Sequence, residues 1–404
     1  MKTKTAPSLA SKPRAWSPNL ERSCVMPTID YMDCFPTGPG TIAGKYLRKF
    51  WHPVLRAEDL KPGWAKPIRI MSEDFTLYRG ESGRPQVVEF RCPHRQSQLS
   101  VGWVEGDALR CRFHGWKFDG SGQCIEQPAE KEAFTEKVRI RSYPTEEYLG
   151  MIFVYFGDDA APPLPRFPDF EKAGLWVETY IRPCNFLNNI ENDPVHIPFT
   201  HKESEFFLRR PREIPAVLQE ETEWGLMLTT TTSTGRVQYL HYGMPNILGF
   251  KESDRDHLAW RVPIDDESHA SFQLDIQHVQ DGIEGEAVKK RHAARTGKLG
   301  RAPNELGAAV LRGEIRIQDL EGDDKANIVW IQDYAVQVGQ GPYELRQKEN
   351  LGRSDTPLIL QRKIWIRELQ ALADGAPLSQ WRRTERIQQL ISYSHVPEPS
   401  QAKV

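Results

Sequence analysis

Residues 92–116 read CPHRQSQLSVGWVEGDALRCRFHGW. Each end of this polar, glycine-containing stretch carries one cysteine and one histidine: Cys92 and His94 have one residue between them, Cys111 and His114 have two, and residues 95–110 separate the pairs. Two Cys and two His can complete a tetrahedral zinc site, but the usual zinc spacing pairs like with like. A mixed pair in each loop fits a two-iron, two-sulfide cluster better. There, two thiolates hold one iron and two neutral imidazoles hold the other, so each loop supplies one ligand to each metal. Replacing two thiolates by imidazoles removes negative charge and raises the reduction potential, so such a cluster accepts electrons easily.

The pairs follow the strand-like runs QVVEFR and DALRCRF, which places two loops at one end of a small sheet. FWHPVLRAEDL, KPIRIMSEDFTLYRG, KVRIRSYP and YLGMIFVYFG are further short apolar or alternating runs bounded by Gly, Pro and Asp, the pattern of an antiparallel β domain. This domain is expected over residues 41–160, after a loosely ordered arm (1–40) rich in Pro, Ser and Lys. APPLPRFPDF (161–170), with four prolines, marks the boundary. A second domain is expected over 161–385, with a tail at 386–404. Within it LNNIENDPVHIPFTH reads as helix, while residues 216–242, HLAWRVPI and ASFQLDIQHV read as strands. SDTPLILQRKIWIRELQALADGAP reads as a helix capped at Asp355 or Thr356, with Pro357 in its first turn, a stripe of Leu358, Trp365, Leu369 and Leu372, and Gly375 and Pro377 as the stop. The basic run EGEAVKKRHAARTGKLGRAPNEL reads as a solvated excursion between strands.

At 404 residues and 39% hydrophobic content the chain can bury two cores. A net charge of −2 predicts no attraction to nucleic acid or to an anionic membrane. No stretch reads as a secretory signal or as a membrane span, and six scattered cysteines make no disulfide framework, so the cytoplasm is the expected compartment. Cys124 reads as a buried structural thiol.

A second constellation lies at 189–201, NIENDPVHIPFTH. Asp193 and His196 share a helical face, and Pro198 breaks the helix so that His201 can return to the same point. Two nearby histidines are a weak signal alone. Cys92-Pro93-His94-Arg95 and Cys111-Arg112-Phe113-His114-Gly115-Trp116, however, resemble the cluster loops of Rieske non-haem iron oxygenases, and Asp193-x2-His196-x4-His201 resembles their iron-binding motif. GTIAGKYLRKFWHPV (40–54) and LGRSD (351–355) resemble the phthalate dioxygenase and aromatic O-demethylase branch.

The resemblance implies an α+β chain: an antiparallel β Rieske domain, then a catalytic domain whose antiparallel sheet is covered by helices in a helix-grip arrangement. It implies Cys92, His94, Cys111 and His114 as [2Fe-2S] ligands, and His196, His201 and a later acid as ligands of a mononuclear Fe(II). Asp333 is the expected acid; Asp324 and Glu321 compete and read as surface acids. It also implies a homotrimer in which Asp193 accepts a hydrogen bond from a cluster histidine, His114, of the next subunit. NAD(P)H-derived electrons are expected from a separate reductase, with or without a ferredoxin, and the substrates are O2 and an aromatic molecule that is hydroxylated or demethylated. Cis-dihydroxylation of an aromatic carboxylate is the alternative outcome; a ferredoxin-like electron carrier is an alternative class. Asn189 either faces the iron pocket as a catalytic residue or packs a helix. Phe186, Tyr239, His241, Met244, Ile247, Phe250 and Trp260 are candidate pocket walls, each equally plausible as core.

Overall fold

The computed structural model describes residues 28–171, 175–192, 201, 203–204, 214–233, 235, 237–251, 255–277 and 301–392. Asp193 and His196 lie outside the described residues. Within them the chain is α+β, and no helix is long and apolar enough to cross a membrane.

The short runs of the first half form three antiparallel sheets. β1 (Trp51–Arg56) pairs with β11 (Met151–Tyr155), which carries β10 (Thr145–Tyr148) on its other edge. β2 (Ala65–Ile70), β3 (Glu73–Arg79), β4 (Pro85–Glu89) and β9 (Ser142–Tyr143) form the second sheet, and β5 (Trp103–Glu105), β6 (Ala108–Arg110), β7 (Lys117–Phe118) and β8 (Cys124–Glu126) the third. The β2–β3 turn consists of Met71 and Ser72, with φ of 50° and 65°, the mirror-image hairpin turn that matches strand twist. Neither residue is glycine, so the turn is held from outside. Met71 N–H donates to the Pro263 carbonyl (2.9 Å), Ser72 N–H to the Ile264 carbonyl (2.8 Å), and Arg48 Nη2 to the Met71 carbonyl (3.0 Å).

The second half is built on one seven-stranded sheet. β13 (Ala216–Thr222), β14 (Gly225–Thr231), β15 (Val237–Gly243), β16 (Ile247–Lys251), β17 (Arg255–Asp265) and β18 (Ser268–Gln277) pair in chain order, and β12 (Leu175–Arg182) joins the far edge on β18. Directly opposed residues in antiparallel strands point to the same face. One face therefore carries the row Met227, His241, Gly249, Leu258, Leu274 and, one pair along, Ile247, Trp260 and Phe272. Trp260 on this face meets Phe153 of β11 and Phe167 edge-on, each at 5.5 Å, so the two halves share one core.

The opposite face carries Leu240, Phe250, His257, Asp275 and Trp176 in one row, and Arg261, Ser271 and Tyr180 in another. Helices cover it. The described helices in chain order are α1 (Ile42–Leu47), α2 (Phe186–Ile190), α3 (Pro303–Leu311), α4 (Gly322–Ala326), α5 (Ile328–Gly339), α6 (Thr356–Ala373) and α7 (Glu385–Ser392). Trp330 of α5 packs on Tyr180 (5.4 Å), and Phe186 of α2 packs on Trp365 of α6 (5.9 Å). In α6 Pro357, Leu358, Trp365 and Leu369 are buried as the stripe required, and Gly375 turns the chain with φ 67°. The Asp355 side chain does not cap α6; it accepts from Gly352 N–H at 2.7 Å.

Two expectations need correction. The arm is not loose throughout: Asp30 caps a short 3-10 helix over Tyr31–Cys34, Cys34 and Phe35 are fully buried, and Phe35 stacks on Tyr343 at 5.2 Å. Apolar residues hidden among the Pro, Ser and Lys of the arm outweigh its composition. The basic run also ends in helix α3, because Pro303 starts it and Leu306 finds a buried site.

Because Trp260 fills the seam, Trp260→Ala is expected to cost about 3–5 kcal/mol. A urea midpoint that does not move would show that the halves are held together elsewhere.

Candidate metal centres

The two Cys–His loops share one backbone frame. Cys92 N–H donates to the Ser97 carbonyl and Gln96 N–H to the Cys92 carbonyl, both at 2.9 Å; Cys111 N–H donates to the Trp116 carbonyl at 2.8 Å and Gly115 N–H to the Cys111 carbonyl at 3.1 Å. The fourth residue after each cysteine is left-handed, Gln96 at φ 60° and Gly115 at φ 78°. At 115 glycine also leaves room, since a Cβ there would stand 3.0 Å from Pro128 Cγ.

This frame buries both cysteines and leaves both histidines half-buried at the loop tips. The His94 and His114 rings are 4.6 Å apart; Trp116 lies flat on His94 at 4.6 Å, and Phe113 leans on His114 at 3.8 Å. His114 Nδ1 is buried with no hydrogen-bond partner, the condition of a ring nitrogen reserved for a metal. Burial, with Cys111 alongside, pushes the Cys92 thiol up to about 12, so the paired thiolates need positive charge between them. Among the described residues no three His, Cys, Asp or Glu side chains converge where a single ion would sit. One Cys and one His on each loop suit ligands straddling a larger group. Cys124 stays apart, buried, with its Sγ 3.6 Å from the Glu126 carbonyl.

On the helix-covered side of the large sheet, His201 Nε2 approaches Asp333 Oδ1 to 3.4 Å. His201 sits at φ 53°, and its Nδ1–H donates to Gln332 Oε1 at 2.8 Å, which leaves the Nε2 lone pair toward Asp333. Gln332 Nε2 in turn donates to Glu203 (2.6 Å), and Asn192 Nδ2 to Asp333 Oδ1 (3.2 Å). Metal bonds of about 2.0–2.2 Å would bridge such an imidazole and carboxylate. Asp324 is engaged by Arg301 (2.8 Å) and Glu321 is exposed, so Asp333 is the acid that meets the histidine.

The helix leading to the 193–201 segment is clamped at its C-terminal end. Asn189 Oδ1 accepts from Arg261 Nε (2.8 Å), and its Nδ2 donates to Tyr180 Oη (3.0 Å) and to His269 Nε2 (2.9 Å). Burial lowers His269 to about 3, so it is neutral, with Nδ1–H on the Cys184 carbonyl and Nε2 free to accept. Every polar side-chain atom of Asn189 is thus tied to the sheet, which makes it a packing amide rather than a pocket group. Two residues on, buried Glu191 accepts from Tyr31 Oη (2.8 Å), from Arg362 through Nε and Nη2 (2.9 and 2.8 Å), and from Arg346. The Arg362 guanidinium lies 3.8 Å over the Tyr31 ring.

Residues 50–144 match the model of the Rieske [2Fe-2S] domain family. Over 361 residues the chain is 30% identical to the 5,5'-dehydrodivanillate O-demethylase oxygenase subunit of Sphingobium sp. (strain NBRC 103272 / SYK-6), covering 84% of this chain and 79% of the relative. The chain belongs to the Rieske non-haem iron oxygenases. Another similar relative of this Rieske oxygenase is the phenoxybenzoate dioxygenase subunit alpha of Ectopseudomonas oleovorans, 28% identical over 83% of this chain and 84% of that one. In fold it is similar to the solved structure of the Pseudomonas putida CBB5 NdmA QL mutant with caffeine, with a TM-score of 0.63 and 21% identity over 82% of this chain and 93% of that chain.

The candidate walls of the Rieske oxygenase divide by sheet face. Tyr239, His241, Ile247 and Trp260 point away from the helices, Met244 sits in the main core at the β15–β16 turn, and Phe186 is fully buried against Trp365. Strand alternation thus removes Tyr239, His241, Ile247 and Trp260 from the face that holds His201 and Asp333, leaving Phe250 on it. Gln332 and Asn192 adjoin expected ligands in sequence, and that adjacency was their available signal. Arg346, Arg362 and Tyr31 gave none, since no spacing links them to Glu191.

Glu191→Ala would remove one of the two carboxylates, Glu191 and Glu349, that Arg346 and Arg362 share, an expected loss of about 1–3 kcal/mol. Urea unfolding measures it. Unchanged stability would mean that solvent readily replaces the carboxylate.

Proposed function

We propose that this Rieske oxygenase is the cytoplasmic terminal component of a multicomponent system that hydroxylates or oxidatively demethylates an aromatic small molecule. Its electrons come from NAD(P)H through a separate reductase, directly or by way of a ferredoxin. The observation that carries this reading is the approach of His201 Nε2 to Asp333 Oδ1 in a chain that also holds two matched Cys–His loops. A ferredoxin-like carrier has no use for the first of these. The substrate class follows the named substrates of the relatives, and the component role follows their naming as subunits.

Cys92 and Cys111 would hold one iron of the cluster, and His94 and His114 the other. His196, His201 and Asp333 would hold Fe(II) on one face, leaving positions for O2 and substrate. When bound, the cluster supplies single-electron transfer and the mononuclear iron supplies O2 activation. The chain's part is geometric and electrostatic. Gln332 fixes the His201 tautomer, Asn192 orients the Asp333 carboxylate, and the Glu191 and Asn189 contacts hold the helix from which the remaining ligands depart. Cis-dihydroxylation of an aromatic carboxylate is the second reading, favoured by the likeness to a phenoxybenzoate dioxygenase; the same donor set serves both outcomes.

A homotrimer belongs to this proposal. The cluster-bearing half packs on the Trp260 face of the large sheet, whereas His201 and Asp333 lie on the other face, so electrons moving within one chain would have to cross the sheet. A neighbouring copy gives a route that does not. The cluster rim suits such docking, since Val101, Trp103, Phe113 and Ile125 are exposed there, with Arg112 4.1 Å over Trp103. Asp193 would accept a hydrogen bond from His114 of the next subunit.

The purified protein is expected to contain about three irons and two acid-labile sulfides per chain and to give a Rieske-type EPR signal on reduction. Zinc without sulfide would end the reading. Asp333→Ala should keep the signal and sulfide, lose the mononuclear iron and abolish substrate-dependent O2 uptake; full iron with full activity would assign the third ligand elsewhere.

A further inference from the structure

Two side chains from one short stretch meet the same residue of α5. Gln332 Oε1 lies 2.8 Å from His201 Nδ1, and Gln332 Nε2 lies 2.6 Å from Glu203 Oε2, while Ser204 N–H donates to the His201 carbonyl at 2.9 Å and ties that stretch back on itself. Asp333, the next residue of α5, brings Oδ1 to 3.4 Å from His201 Nε2. Glu203, Gln332, His201 and Asp333 thus stand in one line of polar contacts, with Gln332 and His201 buried in its middle.

Such a line has a direction. An amide donates at one end and accepts at the other, a neutral imidazole does the same, and a carboxylate only accepts. Neutral His201 therefore has two arrangements here. With Gln332 Oε1 toward it, Nδ1 carries the proton and Nε2 is a bare lone pair facing Asp333. With the amide turned over, its NH2 group donates to Nδ1, and the proton sits on Nε2, pointing at Asp333. The carboxylates at the two ends of the line pull in opposite senses: Asp333 draws the proton to Nε2, and Glu203 draws the amide NH2 to itself, each through a charge-assisted hydrogen bond. The first arrangement alone offers an imidazole nitrogen and a carboxylate oxygen to the same metal ion.

Resting on the iron centre of the function proposed above, we infer that Glu203 is a positioning residue for that centre, its carboxylate acting through Gln332 to keep the His201 Nε2 lone pair free for the metal. Glu203 fixes which way the buried amide faces, and the amide fixes the tautomer. Without this carboxylate the pull of Asp333 prevails, Gln332 turns over, and a proton occupies the place between His201 and Asp333 that the metal needs. Partners of this kind behind a metal ligand are worth about 10–100-fold in metal affinity.

Fe(II) affinity tests this on the full-length protein with its cluster in place and the mononuclear site emptied by chelation, measured by competition with a chromophoric Fe(II) chelator. Glu203→Leu is expected to bind Fe(II) about 10–100-fold more weakly than the wild type. Glu203→Gln, whose amide can face either way, is expected to lose less. The double variant Glu203→Gln/Gln332→Glu exchanges amide and carboxylate: the new carboxylate accepts both from His201 Nδ1–H and from the new amide, so the direction is restored and affinity should return to the wild-type range. A residue that only packs the turn would not be rescued by this exchange. Cluster EPR and acid-labile sulfide, unchanged throughout, show that each variant is folded. Wild-type affinity in Glu203→Leu, or in Glu203→Gln where the Leu variant does not fold, overturns the inference, as does a double variant that binds no more tightly than Glu203→Gln. Wild-type protein that takes up no Fe(II) would sink the iron centre itself, a result read before any variant is compared.

Discussion

Adjacent side chains on a β-strand must point to opposite faces, and the chemistry of this chain depends on how the large sheet uses that constraint. Trp260 and Arg261 are neighbours in sequence, yet Trp260 enters the core shared with the cluster-bearing half while Arg261 reaches Asn189 on the helix-covered side. A slip of one residue in the β17 register would exchange them, placing a guanidinium in an apolar seam and an indole among polar partners. The meander from β13 to β18, with β12 added at its edge, fixes this register through long runs of paired residues. The seam with the cluster-bearing half and the approach of His201 to Asp333 are thereby assigned to opposite sides of one layer.

Polar groups buried on the helix side do the positioning, and they succeed because each is matched. Asn189 meets a guanidinium, a phenol and a neutral imidazole; Glu191 meets two arginines and a tyrosine. Groups of this kind destabilise a fold when one partner is missing and define a single geometry when all are present. The Glu191 contacts also draw three distant parts of the chain to the end of α2: the N-terminal arm through Tyr31, the turn after α5 through Arg346, and α6 through Arg362.

The sequence made some of this legible and hid the rest for physical reasons. Mixed Cys–His pairs imply ligands to two metals because ligand chemistry is local and spacing reports it. The α6 stripe was readable because Leu358, Trp365 and Leu369 repeat at the helical period. Asp333 could be singled out from Asp324 only by resemblance; in the structure Arg301 engages Asp324 and His201 approaches Asp333. Pocket walls were not legible, because alternation shows that two residues differ in face without saying which face is which. Tyr239, His241 and Trp260 looked like pocket aromatics and lie on the far side. The burial of Tyr31 and Phe35 was hidden because their partners, Glu191 and Tyr343, stand far along the chain.

The Trp116 ring rests on His94, which belongs to the other loop, and each loop closes on its own cysteine through main-chain hydrogen bonds. The two loops are thus fastened to each other through a ring of each. Phe113 leans on His114 as Trp116 lies on His94, so each imidazole takes its tilt from a different aromatic neighbour, and both of those neighbours come from the second loop.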